Sequence, residues 1–186
     1  MVIGTLVGLY SGFFGGRIDA LLMRMTDIAL AFPFLIIAIA LMAALGSSAQ
    51  NIVIALAITI WPKFARLMRG QVLQVKSLDY VEAAQASGLD RRRIIFSHVF
   101  PNAFPPLIVQ VALTIGSTIL AAASLSYLGL GVDAAAPDWG LMLSQGKTYL
   151  RDGLYLTLVP GIAISFTVLS LNLMADGLRD ILDPKV

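Results

Sequence analysis

Side chains able to make or break covalent bonds are few in this chain, and none is placed for it. There is no cysteine and one histidine, His98. Disulfides and thiolate metal sites are excluded, and a histidine-based metal site has little scope. Gly146-Lys147-Thr148 has the closing residues of a phosphate-binding loop. That loop needs a glycine, four residues and then Gly-Lys-Ser/Thr, following a strand. Five residues separate Gly140 from Gly146 and no strand pattern precedes them, so nucleotide binding is not expected there. An enzyme working within a membrane needs a nucleophile and base, a carboxylate pair or metal ligands facing one another. The apolar stretches of this chain hold no Asp, Glu or His. We expect no catalytic residue, no cofactor and no metal.

The chemistry open to the polar residues is recognition, and it gathers between Ser77 and Pro101. Ser77 is expected to cap a first helix, with Asp79 in its opening turn at the positive end of the dipole. Glu82, Ala83, Ala84 and Ala86 are good helix formers, and Gly88 is a natural left-handed terminator. Asp90 can cap a second helix whose apolar face is Ile94, Ile95, Val99 and Phe100, and Pro101 marks the entry to the next apolar stretch. The expectation is two short helices hinged at glycine, with alanines leaving a low surface for another protein's groove. Arg91, Arg92 and Arg93 suit a protein partner or anionic headgroups. His98 reads as an interfacial helix residue without special chemistry.

The elements that carry this loop are set by composition. Of 186 residues, 58% are hydrophobic and 13% charged, against about 25% charged in soluble domains. Mean hydropathy is +0.86. The net charge of +2 gives no footing for nucleic acid. The solvent is a lipid bilayer.

Five apolar runs stand out: Val2–Phe14, Ile28–Leu45, Ile52–Pro62, Ala103–Leu128 and Leu154–Ala175. A full span takes about 20 residues. Ile28–Leu45 carries ten Leu, Ile or Phe, favouring insertion by roughly 3 to 6 kcal/mol, and no charge opposes them. It, Ala103–Leu128 and Leu154–Ala175 are expected to span. Ile52–Pro62 is short, with Trp61 as an interfacial anchor and a helix continuing into water through Lys63, Arg66 and Arg69. Val2–Phe14 looks like the second half of a span, and it lacks the basic start and cleavage site of a signal peptide.

Basic residues set the orientation. Arg17, Arg24, Lys63, Arg66, Arg69, Lys76, Arg91, Arg92, Arg93, Arg179 and Lys185 fall on one side, and Lys147 and Arg151 on the other. Eleven against two places the loop at 77–101 and the C-terminus in the cytoplasm, and the loop at 129–153 outside.

Glu82-Ala83-Ala84, then Gly88 four positions on and Pro101 thirteen beyond that, resembles the EAA loop of binding-protein-dependent ABC importer permeases. Gly15-Gly16-Arg17-Ile18-Asp19 before Met23-Arg24, Ala31-Phe32-Pro33, Ser126-Tyr-Leu-Gly-Leu-Gly131, Pro137-Asp-Trp-Gly140 and Ala175-Asp-Gly-Leu-Arg-Asp-Ile-Leu-Asp-Pro184 resemble its dipeptide, oligopeptide and nickel branch. Phe100 stands where that family often has Leu. Such permeases usually have a further span, an external loop and a complete second span before the point where this chain begins.

The resemblance implies an all-α membrane fold, the transmembrane domain of a type I ABC importer. About five helical segments, the first partial, would form one permease domain over residues 1–186. It implies a second permease subunit, two cytoplasmic ATPase subunits and an external solute-binding protein. The protein would sit in the inner membrane of a bacterium or archaeon and pass peptides, nickel complexes or related small solutes by alternating access. Glu82 would make the polar contact to the ATPase, Ala83 and Ala84 the close packing, and Gly88 the turn.

Ser117 and Ala121, like Ala122 and Ser126, are small residues four apart on one span, which permits close helix approach in lipid. They, Ser124 and Asn172 are candidates for helix packing or for lining the path. Pro33, Pro105, Pro106 and Pro160 are expected to kink or begin helices. The competing reading is a truncated, non-transporting permease fragment or membrane scaffold.

Overall fold

The computed structural model describes residues 1–132 and 136–182, the side chain of residue 182 excepted. Lys185 of the charge count, the Asp183-Pro184 end of the closing motif and residues 133–135 of the expected external loop lie outside the described residues. All regular structure among the described residues is helical. Helices α1 (Val2–Phe14), α2 (Gly16–Ala31), α3 (Phe34–Leu45) and α4 (Ala49–Lys76) come first. A polar loop with α5 (Asp79–Ala86) and α6 (Arg91–Ile94) follows, then a π turn (Ile95–Val99) and α7 (Phe100–Ala103). The chain continues as α8 (Pro105–Tyr127), α9 (Trp139–Gly146), a 3-10 turn (Lys147–Tyr149) and α10 (Tyr155–Leu182).

Helices α4, α8 and α10 are each long and apolar enough to cross a bilayer, and α2 and α3 are so only taken together. The run Ile28–Leu45, expected as one span, is therefore divided. Pro33 causes the break. It has no N–H to give, and its ring drives the preceding residue out of the α region. Phe32 is extended at φ −96°, ψ 140°, and α3 starts immediately after Pro33. Pro62 and Pro160 instead lie inside α4 and α10, where both are fully buried. The expected extension of Ile52–Pro62 through Lys63, Arg66 and Arg69 is present, because α4 runs unbroken to Lys76.

The chain forms two compact units. Residues 1–32, 60–111 and the segment from 179 make the first, and residues 33–59 and 112–178 the second. In the first unit, α1 lies directly on the second half of α4 through Gly4, Gly8 and Gly12, one residue per turn along one stripe. A Cβ at Gly8 would stand 2.8 Å from the Met68 Cβ, and one at Gly12 2.9 Å from the Val72 Cβ. Only glycine lets the two backbones come this close. Glycines 15 and 16 both take positive φ, 66° and 56°, and turn the chain so that Asp19 returns beside α4. Its carboxylate accepts from Arg69 Nε at 2.6 Å and Nη2 at 2.7 Å, and from the Ser11 hydroxyl. A two-pronged guanidinium–carboxylate contact is geometrically selective as well as strong. The Arg66–Asp27 pair at 2.7 Å is more than half exposed on both sides and adds little.

In the second unit, Asn51 donates its amide to the carbonyls of Leu45 and Gly46, 2.8 and 2.9 Å away, and so closes the end of α3. Asp138 caps α9 by accepting from the Leu141 N–H at 2.8 Å. Gly146 closes α9 where a phosphate loop would open a helix, and Thr148 donates back to the Gln145 carbonyl at 2.6 Å.

Candidate functional site

The polar loop after α4 is built on the first unit's apolar core. Ser77, expected to cap α5, does not. Helix α4 continues to Lys76, and the Ser77 hydroxyl is spent on the Gln74 carbonyl at 2.9 Å. Leu78, extended at φ −84°, ψ 140°, takes the cap position without a side-chain bond. Asp79 and Glu82 lie in the first turn, where negative charge suits the positive end of the helix dipole. At the other end the expectation at Gly88 is met. Its φ is +75°, the Leu89 N–H bonds the Ala84 carbonyl at 3.3 Å and the Gly88 N–H bonds the Gln85 carbonyl at 3.0 Å. This pair of bonds is the Schellman closure, which needs a left-handed residue at its centre. Asp90 then caps the next helix, accepting from the Arg92 N–H at 3.2 Å.

Val81 and Ala84 on α5, with Ile94, Ile95 and Val99 beyond the hinge, are buried in one cluster with Leu9, Phe13, Met68 and Val72. Glu82, Ala83, Gln85 and Ala86 face outward. The pairing of Ala83 with Ala84 on one partner-facing surface is therefore corrected. They are consecutive on a helix and so about 100° apart, and Ala84 is only 8% exposed. Ala84 packs inward, while Glu82 and Ala83 offer the outer face.

The second arm is not the plain α-helix expected. It widens into a π turn over Ile95–Val99, and the Phe100 N–H reaches back five residues to the Ile95 carbonyl. Pro101 accounts for this. It cannot donate, and its ring crowds the carbonyl four residues earlier, so the ladder opens upstream. His98 is half-buried on this turn, and its carbonyl accepts from the Asn102 amide at 2.7 Å.

The second group of sequence-predicted residues does not form one surface. Ser117 is exposed and Ala121 buried. The hydroxyls of Ser117 and Ser124 are spent on their own helix, on the carbonyls of Thr114 and Leu120 at 2.9 and 2.7 Å. Ser124 lines an apolar groove of about 390 Å³ between α8 and α10, with Leu120, Leu143 and Ser165. Asn172 sits against Gly116, where a Cβ would lie 2.9 Å from its Oδ1. Ala121 is buried on α8.

Three features were missed from the sequence. The Gly4-Gly8-Gly12 stripe was signalled by its four-residue spacing within an apolar helix. The Ser11–Asp19–Arg69 contact had no local signal, since Asp19 and Arg69 are fifty positions apart. The π turn had only Pro101 to announce it.

The family of binding-protein-dependent transport system inner membrane components matches residues 4–186. The dipeptide transport system permease protein of Alkalihalophilus pseudofirmus is 45% identical over 186 residues, all of this chain and 61% of the relative. A probable D,D-dipeptide transport system permease protein of Escherichia coli is 46% identical over 184 residues, 99% of this chain and 62% of the relative. The glutathione transport system permease protein of Pectobacterium atrosepticum is 42% identical over 186 residues, all of this chain and 62% of the relative. The chain spans about three fifths of the length of these curated relatives. With its family matched along nearly all of its length and relatives above 40% identical, this chain belongs to the inner membrane components of binding-protein-dependent transport systems.

Proposed function

We propose that this chain supplies half of the translocation path of an ATP-driven importer for peptides or closely related small molecules. A second permease subunit supplies the other half, two cytoplasmic ATPase subunits the energy, and an external binding protein the solute. Residues 1–186 act as one permease domain, with 77–101 on the cytoplasmic face and 129–153 outside. The eleven-to-two partition of basic residues supports that orientation. The solute class follows the relatives, named for transport of dipeptides, D,D-dipeptides and glutathione.

One observation carries the coupling role: α5 has an outer face ready for a partner and an inner face continuous with the core around α4. A pull on Glu82 and Ala83 would move Val81 and Ala84, and these cannot move without the side chains packed on them. Gly88 and Asp90 fix the angle of the second arm, and Pro101 sets its wide turn. Alternating access then needs no chemistry from this chain.

The test is a Glu82→Ala/Gly88→Val double variant of the full-length protein, purified with its partner subunits. ATPase recovered with the permease is expected to fall at least about tenfold, the loss of one charge-assisted contact and of the loop's shape. The permease itself should still reach the membrane. Undiminished ATPase recovery would overturn the coupling role, and labelling of residues 77–100 from outside the cell would overturn the orientation.

A further inference from the structure

We propose that a pocket beside this loop holds a phosphate group, that of an anionic phospholipid headgroup. The cavity is about 350 Å³ and belongs wholly to the first unit. Its polar lining is Lys76, Gln85 and Arg91, and no carboxylate lines it. Lys76 donates to the Phe13 carbonyl at 2.7 Å and stands 5.5 Å from the Phe13 ring centre. An ammonium has three donors, so two are left for a ligand. Arg91 is exposed on the first turn after the Asp90 cap and brings a planar fork suited to phosphate oxygens. Two cations and an amide above a floor of Phe13, Leu89 and Ile94 fit one anion attached to apolar matter.

The geometry points to a lipid as its source. Phe14 is on the pocket's rim and stacks on Tyr10, ring centres 5.7 Å apart. From there Tyr10, Leu6 and Val2 continue as an exposed apolar row, one residue per turn, on the side of α1 that its glycines leave free. The row is about 20 Å long. Acyl chains can lie along it while the phosphate meets Lys76 and Arg91 at its end. This placement rests on the membrane orientation proposed above and is independent of the coupling role.

The full-length protein with its partner subunits would be unfolded thermally in detergent while short-chain phosphatidylglycerol, phosphatidylcholine of the same chain length, or inorganic phosphate is titrated. Phosphatidylglycerol should raise the midpoint, and the other two should not. Arg91→Gln should move the phosphatidylglycerol titration to about fivefold higher concentration, the weight of one basic group at an anionic surface. Lys76→Gln/Arg91→Gln should abolish it. Arg17→Gln/Arg24→Gln, which removes equal charge elsewhere, should leave it unchanged. Arg91→Gln should also keep its ATPase subunits, which separates this site from the coupling contact. The proposal is overturned if phosphatidylcholine or inorganic phosphate reproduces the full shift. It is equally overturned if Arg17→Gln/Arg24→Gln weakens the titration as much as Arg91→Gln, or if Arg91→Gln loses ATPase and keeps the lipid response.

Discussion

Helices α4 and α10 are both 28 residues long, and each carries a fully buried proline. They are used in opposite ways. In the most apolar stretch of α4 44% of the residues are buried, and in that of α10 only 17%. Helix α4 is an internal strut, with Phe64, Ala65, Met68 and Val72 covered one after another. Helix α10 leaves Ile162, Phe166, Leu169 and Leu173 uncovered on one face. In water such a face would be an aggregation hazard. In an inner membrane component such a face suits lipid. Similar hydropathy, 1.4 and 1.8, thus conceals different degrees of burial.

That contrast can be broken at its strongest point. Gly8→Leu would drive a side chain into the Ala65 carbonyl and the Met68 Cβ. We expect a loss of about 3 kcal/mol or more, since backbone cannot yield as a side chain can, read as collapse of monodisperse protein on size exclusion. A near-normal profile would show that α1 is dispensable to the strut. A smaller effect is expected at the clip between the same helices. Asp19→Asn should cost about 1.5 kcal/mol in thermal unfolding, reduced from a buried pair's weight by partial exposure, while Asp27→Asn should cost under about 0.5 kcal/mol. Equal effects would deny the two-pronged contact its special weight. At the outer helix, Phe166→Ala should change stability of the isolated chain by less than about 0.5 kcal/mol, and a loss above about 2 kcal/mol would mean that α10 is covered as α4 is.

Much of this was legible in the sequence because it rests on local rules. The apolar runs, the αL role of Gly88, the Asp90 cap and the continuation of α4 past Lys63 follow from hydropathy, φ preference and capping. The misreadings arose where a rule competed with a neighbour. Ser77 is a good cap residue, but α4 had already used it. Ile28–Leu45 is apolar throughout, and one proline outweighs that. Ala83 and Ala84 look alike in the sequence, yet only the position of Val81 decides which of them turns inward. The site lining Lys76 and Arg91 depends on α1 lying close enough to bring Phe13 and Phe14 to the loop, a distance set by glycines far from it in the chain.

Ile95, Val99, Ala103 and Leu107 are all buried, each four positions after the last. In an ideal α-helix every such step precesses about 40°, so the fourth side chain would point well away from the first. The wider turn over Ile95–Val99 offsets the drift of the first step, and the bend at Phe104 interrupts the helix before Leu107, so all four still meet in one core. Counting therefore matters more than chemistry here. A conservative exchange at Phe96 or Ser97 leaves the phase intact, whereas inserting or deleting one residue in that turn would rotate everything after it out of register.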